Sequence, residues 1–295
     1  MTVTVHPALR DLRSQITVIE PDPDTTAVQP TWHHAEILAH TPAGDRYRHL
    51  SLHAPSVARL TRPGQFVMVT AARDGEHAPV LPRPMAIYRK DTDTGTVEIV
   101  YGVVGSGTKR LSSFGPGERL LTIGPLGRGF QLHPATHRVL LIGRGIGTCS
   151  LTTVAQDLAD TPTEVLAVTS GRDERALIGG PLYREFGATT LYEVTDAART
   201  SDVDALHRRL TTDLDDDPPG RILTCGSDRL AELSRTLGQR WTADVQVSLE
   251  AHMACGLGYC HGCASGSRNG PVESPLVCKD GPVFRLGDAL AQAAG

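Results

Sequence analysis

The pattern of hydrophobic and polar positions changes once along this chain. From Trp32 to about His133, short apolar runs are separated by glycine, proline and other turn residues. The runs are HHAEILAHT, RYRHLSLHAP, GQFVMVTAA, TVEIVYGVVG and RLLTIGPLG. Short runs at regular spacing with this punctuation predict an antiparallel β-barrel or sandwich.

From Thr136 onward, apolar strands alternate with helical stretches that end near Leu158, Leu210 and Leu237. Strands that alternate with helices predict a doubly wound, parallel α/β sheet. A cysteine-rich segment follows Val245, and a polar, proline-containing stretch precedes Trp32. The chain is therefore predicted to be a multidomain α+β protein with four parts: a flexible N-terminal extension (1–31), a β-barrel (32–135), an α/β nucleotide-binding domain (136–244) and a small C-terminal module (245–295).

Composition narrows the class of protein. The chain has 295 residues, which is too long for one ordinary core, and its 30 glycines and 20 prolines favour strands and loops. A net charge of −4 without a basic stripe predicts that nucleic acid is not a partner. Because no stretch approaches the roughly 20 apolar residues of a membrane span, we expect a soluble protein without a membrane partner. The six cysteines do not resemble a secreted disulfide framework, so we expect a cytoplasmic location.

Four cysteines near the C-terminus carry the most specific signal. They have the C-x4-C-x2-C…C spacing of a plant-type [2Fe-2S] cluster, and they are Cys255, Cys260, Cys263 and Cys278. Glycines between the first three allow the backbone to fold tightly around an inorganic core, with N–H groups directed at the sulfurs. The alternatives are a structural zinc site, which usually takes paired C-x2-C segments, and unliganded thiols. The spacing predicts a one-electron carrier.

A second motif predicts a dinucleotide site. The strand VLLIG runs into a glycine-rich turn formed by Gly143, Gly145 and Gly147, and a helical stretch follows. Such a turn lets the backbone approach a pyrophosphate at a helix N-terminus, although many α/β domains use one only to turn tightly. Cys225 and Gly226 follow a later strand at the same predicted edge, which favours an NAD(P)H site. Cys225 could equally be a buried, small apolar residue.

Two segments of the predicted barrel are candidates for flavin binding, because a hydride donor and a one-electron cluster need a flavin between them. The first is RPMAI, which comprises Arg83, Pro84, Met85, Ala86 and Ile87. Its arginine could clamp a phosphate in a bidentate manner. The second contains Gly105, Gly107 and Thr108, which could cradle a pyrophosphate at a turn. Either segment alone could be only a β-turn.

Together these segments resemble the electron-transfer subunits of two-component, NAD-dependent dihydroorotate dehydrogenases, within the ferredoxin-NADP reductase superfamily. The matching stretches are RPMAI, YGVVGSGTKRLS, IGPLGRGF, GRGIG, SLEAHMACGLGYCHGC and VCKDGPVF. The resemblance implies FAD between the barrel and the nucleotide domain, a [2Fe-2S] cluster that faces a partner, and oxidation of NADH. It also implies that Arg83 contacts the FAD phosphates, that Ala86 and Ile87 lie along the isoalloxazine, and that Gly107 and Thr108 bind the pyrophosphate.

Three departures from the family pattern accompany the resemblance. Ala86 replaces a serine near flavin N5, Arg144 stands where a third glycine is usual, and an Ala197-Ala198-Arg199 stretch follows Asp196 in place of an Asp-Gly turn. Arg144 could crowd a dinucleotide or grip its phosphate.

The functional hypothesis is electron transfer from NADH through FAD and the cluster to a flavin-containing catalytic subunit in a hetero-oligomer. The chain itself offers no acid-base site for an organic substrate, so no catalytic residue is predicted. Alternatives are a reductase for an oxygenase or for another specialised redox enzyme, and a non-catalytic redox sensor. Tyr259 and His261 would lie near the partner interface or be ordinary loop residues.

Overall fold

The computed structural model describes residues 12–20, 29–73, 75–76, 81–133, 136–266 and 274–287. Two seven-stranded sheets organise these residues. One sheet is antiparallel and the other is mostly parallel, which agrees with the change of pattern near residue 136.

The first sheet is a curled antiparallel half-barrel in which the strand order is β5-β4-β8-β2-β3-β7-β6. Alternate residues of its strands, such as Leu50 and Leu52, are fully buried in its core. Two short helices, α1 (Pro55–Leu60) and α2 (Ser106–Leu111), connect its strands. The strands are β2 (Thr31–Ala43), β3 (Tyr47–His53), β4 (Phe66–Thr70), β5 (Arg83–Ala86), β6 (Arg89–Asp91), β7 (Thr96–Gly102) and β8 (Arg119–Leu126).

The second sheet includes β1 (Ile16–Val18) and β14 (Val283–Leu286), and its strand order is β1-β14-β13-β12-β9-β10-β11. Its five parallel strands are β9 (Arg138–Arg144), β10 (Glu164–Gly171), β11 (Thr190–Thr195), β12 (Arg221–Cys225) and β13 (Asp244–Ser248). The connecting helices are α3 (Cys149–Leu158), α4 (Gly180–Glu185), α5 (Val203–Leu214) and α6 (Asp228–Trp241). The chain passes from β9 outward to β11 and then returns to the other side of β9 with β12. A crevice for ligands therefore opens at the carboxyl ends of β9 and β12.

The N-terminal segment differs from the expectation in the part that the structure describes. Strand β1 (Ile16–Val18) pairs antiparallel with β14 (Val283–Leu286), and Leu12, Ile16 and Ile19 are buried. Residues 12–20 are thus part of the second sheet, because three apolar side chains there cover its edge. Most residues of the N-terminal segment are polar, so its average hydropathy conceals this short apolar pattern. The rest of the predicted extension, residues 1–11 and 21–28, lies outside the described residues.

The C-terminal module is also continuous with the nucleotide domain. Strand β13 crosses the predicted boundary at residue 245, and β14 pairs with it in antiparallel register. A buried Asp244 carboxylate joins these strands to β12, because it accepts hydrogen bonds or ion pairs from Arg285 at 2.7 Å and from Arg221 at 3.1 Å. The cysteine segment between β13 and β14 is therefore held at both ends by one sheet.

Helix α3 attaches the nucleotide domain to the half-barrel. The Thr152 hydroxyl donates to the Tyr88 carbonyl, and Lys90 forms an ion pair with Asp157 at 2.8 Å. The Gln156 side chain accepts from the Lys90 backbone N–H and donates to its carbonyl. Among the described residues, no helix is long and apolar enough to span a membrane.

Candidate functional site

The four predicted ligand cysteines lie on two segments that meet beside the half-barrel. Cys255, Cys260 and Cys263 are on the loop after β13, and Cys278 is in the turn before β14. Backbone contacts join the segments, since Val277 N–H donates to the Cys263 carbonyl at 3.1 Å. Cys260 is exposed and Cys255 is half-buried, whereas Cys263 and Cys278 are buried. The fourth cysteine therefore meets the other three through the tertiary fold.

Hydrogen bonds divide these cysteines into two pairs. The Leu257 N–H donates to Cys255 Sγ at 3.4 Å, and the Cys260 side chain also interacts with Cys255. Partial burial opposes ionisation of Cys255, but the N–H groups of Leu257, Cys260 and Tyr259 outweigh it and lower the thiol pKa to about 6. In the inner pair, Cys278 N–H donates to Cys263 Sγ at 3.5 Å. Burial, followed by contact with Cys263, raises the pKa of Cys278 to about 12.

This arrangement fits a binuclear iron-sulfur cluster. A [2Fe-2S] cluster needs only two thiolates at each iron, because bridging sulfides complete each shell. The outer pair, Cys255 with Cys260, and the inner pair, Cys263 with Cys278, supply that number.

The cysteine loop rests directly on the half-barrel. Gly256 has φ +70°, and a Cβ atom there would lie 2.5 Å from Met68 Cγ. Met68 is a fully buried residue of β4 and belongs to the same apolar cluster as Cys263 and Cys278. The loop therefore approaches the barrel so closely that only glycine fits at position 256.

The first predicted flavin segment places Arg83 beside the second. A Cβ atom on Gly107 would lie 2.1 Å from both Nε and Nη2 of Arg83. The guanidinium thus packs on the Gly107 backbone, while its remaining nitrogen, Nη1, donates to the Leu81 and Pro82 carbonyls at 2.6 Å and 3.2 Å. The edge of the guanidinium formed by Nε and Nη2 lies beside the start of α2. The first N–H groups of that helix have no acceptor within the helix. A cationic fork beside free N–H groups fits a phosphate.

Thr108 has a local structural role in this turn. Its hydroxyl oxygen accepts from the N–H groups of Val104 and Gly105 at 3.0 Å and 3.1 Å, and it donates to the Gly105 carbonyl. The hydroxyl is therefore occupied, and only the backbone N–H of Thr108 is available for a phosphate. A Cβ atom on Gly105 would meet nothing within 4 Å, in contrast to Gly107.

Strand β5 directs its side chains to opposite sides. Met85 belongs to the barrel core, as does Ile87, which directly follows the strand. Ala86 instead packs with Tyr88 and Tyr47 against the nucleotide domain. Pro84 shares the half-buried side with Ala86. The side chain of Ile87 thus points into the core, and the boundary where a flavin ring is expected is lined by Ala86 and the two tyrosines.

The two predicted nucleotide loops contact each other at the sheet edge. A Cβ atom on Gly147 would lie 2.4 Å from the Gly226 Cα, and Gly226 itself has φ +91°. Gly143 is equally confined, since its Cβ would lie 2.6 Å from Thr148 Oγ1. Gly145, with φ +51°, faces the Tyr47 hydroxyl from the half-barrel. The glycines therefore bring the loops after β9 and β12 together beside the barrel.

Cys225 is buried between these loops. Burial, together with the negative charge of Glu250, raises the pKa of its thiol to about 12, so the group is protonated at neutral pH. Glu250 lies just after β13, and burial followed by the charge of Asp228 raises its own pKa. The sequence pattern did not single out Glu250, because an acidic residue after a strand is common at a surface.

Arg144 does not occupy the crevice as a free cation. It forms an ion pair with Asp196 at 2.5 Å, and its Nη1 donates to the Ser170 hydroxyl. Arg175, in the segment after β10, pairs with Asp45 of the half-barrel at 3.1 Å. Tyr47, Ser170 and Asp196 were not predicted as site residues, since they are distant in sequence from the glycine-rich turn that they meet.

The chain resembles known proteins both in sequence and in fold. Residues 250–289 match the family described as the iron-sulfur cluster binding domain of dihydroorotate dehydrogenase B. Among solved structures, the chain resembles an NADH-dependent reduced ferredoxin-NADP oxidoreductase from a study of flavin-based electron bifurcation. The TM-score is 0.69 and the identity 23%, over 89% of each chain. The ferredoxin reductase of carbazole 1,9a-dioxygenase is also similar, with a TM-score of 0.57 and 20% identity over 72% of this chain and 66% of that one. These likenesses show a ferredoxin-reductase fold.

Two relatives carry the name dihydroorotate dehydrogenase B (NAD(+)), electron transfer subunit. The protein from Desulforamulus reducens is 32% identical over 85% of this chain and 95% of its own length. The protein from Geobacillus thermodenitrificans is 33% identical over 83% of this chain and 93% of its own length. Both alignments span nearly the whole relative, so they include the half-barrel and the nucleotide domain as well as the cysteine segment. This chain therefore belongs to the family of dihydroorotate dehydrogenase B electron transfer subunits.

Proposed function

We propose that this chain passes electrons from NADH through FAD and a [2Fe-2S] cluster to a flavin-containing catalytic subunit of the dihydroorotate dehydrogenase type. The two subunits form a hetero-oligomer. The observation that carries the proposal is the pairing of four cysteines from two adjoining segments beside the half-barrel that holds Arg83 and Gly107. Family membership across nearly the full length of the relatives supports the same acceptor, rather than an oxygenase.

In this proposal the cofactors carry the electrons, and the residues of the chain bind and orient the cofactors. When bound, FAD would supply the conversion of a hydride's electron pair into single electrons, and a binuclear cluster would supply one-electron transfer. Arg83 and the backbone N–H groups at the start of α2 hold the FAD phosphates. Ala86 and Tyr88 form the wall against the flavin ring, and the apolar packing around them limits access of water.

The nucleotide loops position the donor. Gly147 and Gly226 leave room for a dinucleotide backbone above the paired ends of β9 and β12, and the N-terminus of α3 favours its negative charge. The protonated Cys225 thiol is an uncharged neighbour of the nicotinamide, so it neither repels a hydride nor competes as a nucleophile.

The positions of the two cysteine pairs indicate where electrons leave the chain. Cys263 and Cys278 are buried against the barrel, whereas Cys260 is exposed and Tyr259 has 84% of its surface accessible. Electrons thus leave through the outer pair toward the partner, and Tyr259 lies in that interface. The thiols must stay reduced to hold iron, which supports a cytoplasmic setting.

Anaerobic purification of the full chain, followed by cofactor analysis, tests the proposal. We expect one FAD, two irons and two acid-labile sulfides per chain, and bleaching of the flavin absorbance on addition of NADH. Cys260→Ser is expected to lose the cluster's electron paramagnetic resonance signal and electron transfer to the catalytic subunit. It should retain flavin bleaching by NADH. A chain without flavin, iron and sulfide, or one whose flavin NADH does not reduce, would contradict the proposal.

A further inference from the structure

The N-terminal segment touches both parts of the chain that supply the inner cysteine pair, Cys263 and Cys278. Near its start, Arg13 Nη1 donates a hydrogen bond to the Ser265 carbonyl at 2.9 Å, and Ser265 follows Cys263 by two residues. Further along, β1 pairs with β14, which begins five residues after Cys278. This N-terminal clasp, residues 12–20, therefore bridges the two segments that carry the inner pair.

A short backbone ladder sets the spacing of Cys263 and Cys278. The Val277 N–H donates to the Cys263 carbonyl at 3.1 Å, and the Ser265 N–H donates to the Pro275 carbonyl at 2.8 Å. One antiparallel bridge lies between these two bonds. A ladder this short opens at little cost unless other groups secure it. The contacts of Ser265, at the end of the ladder away from the cysteines, therefore influence how firmly the inner pair stays together.

Arg13 secures that end of the ladder. Ser265 is fully buried, so water does not replace the guanidinium at its carbonyl when the guanidinium withdraws. A hydrogen bond from a charged donor is also about twice as strong as one between neutral groups. Leu12 and Ile16 hold Arg13 in place, because both are buried in the apolar cluster that also contains the inner pair.

The other end of the clasp is attached to the turn that follows Cys278. Arg128 Nη1 donates to the Ile19 carbonyl at 2.9 Å, while the backbone N–H of Arg128 donates to the Gly281 carbonyl in that turn. Three residue pairs join β1 to β14 between the two ends. The clasp is thus fixed to the Cys278 segment along most of its length, and Arg13 connects it to the Cys263 segment.

We propose that the N-terminal clasp retains the iron-sulfur cluster, and that Arg13 is the positioning residue that keeps the inner cysteine pair closed. The inference rests on the proposed electron path, because that path requires a cluster on these cysteines. Opening of the ladder would separate Cys263 from Cys278 and would admit water and chelators to the buried side. The exposed outer pair offers the exit for electrons, whereas the clasped inner pair anchors the cluster.

Arg13→Met tests the clasp, because methionine keeps much of the apolar stem but has no donor. In the anaerobically purified full chain, reduced with dithionite, bathophenanthroline disulfonate traps the iron that is released, and absorbance of the complex gives the rate. We expect Arg13→Met to release iron about tenfold faster than wild type, or more, because a hydrogen bond from a charged donor is lost. Arg13→Lys keeps a charged donor and should stay within about threefold of wild type.

Arg240→Met is the matched control. Arg240 lies near the end of α6, where it pairs with Asp215. This position is at the amino ends of the parallel strands, whereas the cysteine loop leaves β13 at its carboxyl end. We expect Arg240→Met to release iron at the wild-type rate. Circular dichroism and FAD content check that each variant is folded.

Amide hydrogen exchange tests the same contact without the cluster. In the cluster-free full chain, the N–H groups of Ser265 and Val277 should exchange about tenfold faster in Arg13→Met than in wild type, or more, because the ladder opens more often. The amides of the central strand β12 should exchange at equal rates in both proteins. Such a local change distinguishes positioning by Arg13 from a general loss of stability.

The outcomes separate the clasp from the electron path. If the wild-type chain holds a cluster but Arg13→Met releases iron no faster than Arg240→Met, the clasp is refuted and the electron path stands. Equal acceleration in Arg13→Met and Arg13→Lys would refute the role of the hydrogen bond. A wild-type chain without iron and sulfide would refute the electron path, and hydrogen exchange would then decide whether Arg13 holds the ladder closed.

Discussion

Replacement of Gly107 by alanine is expected to weaken the binding of FAD and to leave the stability of the fold nearly unchanged. The new Cβ atom would lie 2.1 Å from the Arg83 guanidinium, where ordinary contacts are 3.4–4 Å. The guanidinium must therefore move by about 1.3 Å, and it can do so because it is the end of a flexible side chain. Alanine also has a higher helix propensity than glycine, by about 0.5–1 kcal/mol, which offsets the loss of packing in α2.

The expected effect is on FAD affinity. A displaced Arg83 no longer presents its Nε–Nη2 edge to a phosphate, and a hydrogen bond to a charged group contributes about 1.5–3 kcal/mol. We therefore expect the Kd for FAD to rise about ten- to hundredfold. Fluorescence titration of the deflavinated protein with FAD measures this Kd. The melting temperature of the deflavinated protein should stay within about 3 °C of wild type.

Two further variants make the reasoning refutable. Gly105→Ala lies in the same turn and meets nothing within 4 Å, so its FAD affinity should stay close to that of wild type. In an Arg83→Gln background, Gly107→Ala should add little, because the group that it displaces has already gone. Equal losses in Gly105→Ala and Gly107→Ala, or additive losses in the double variant, would show that Arg83 does not hold the phosphate.

Three other predictions follow from the described contacts. Gly147→Ala should raise the KM for NADH in steady-state assays by about tenfold or more, because the new Cβ atom meets backbone atoms that cannot move away. Gly220→Ala is the control and should leave this KM unchanged, because its Cβ atom has its nearest contact at 3.9 Å. Asp244→Asn leaves two arginines without their shared carboxylate and should lower the free energy of unfolding by about 3 kcal/mol in urea titrations. Because interactions with Gln246 and the arginines outweigh burial and lower the Asp244 pKa in the folded state, its contribution is present at neutral pH and should fade below about pH 4 in wild type but not in the variant. In the cluster-free protein, iodoacetamide should modify Cys255 with a midpoint near pH 6 and leave Cys278 unmodified, as peptide mass analysis would show; the reverse order would contradict the assigned pairs.

The sequence predicted the elements whose signal is local. Cysteine spacing identified the four candidate ligands, and the change from short strands to alternating strands and helices gave both sheets. It could not assign β1, because three apolar residues within a polar segment resemble ordinary variation. It also separated the cysteine module from the nucleotide domain, although β13 and β14 join them. Such pairing depends on contacts between distant residues, which local patterning does not report.

Arg83 and Gly107 illustrate what sequence and tertiary structure each determined. The sequence alone supplied a guanidinium between two prolines and a glycine in a turn, and each could have been only a turn residue. The fold brings the Arg83 guanidinium so close to Gly107 that a Cβ atom at position 107 would lie 2.1 Å from it. In the same way, the sequence marked Arg144 as an obstacle or a phosphate ligand, and only the tertiary structure paired it with Asp196. Residue type and spacing determine which chemistry is available, whereas charge pairing and close packing act over a few ångströms, so only the folded chain decides which groups meet.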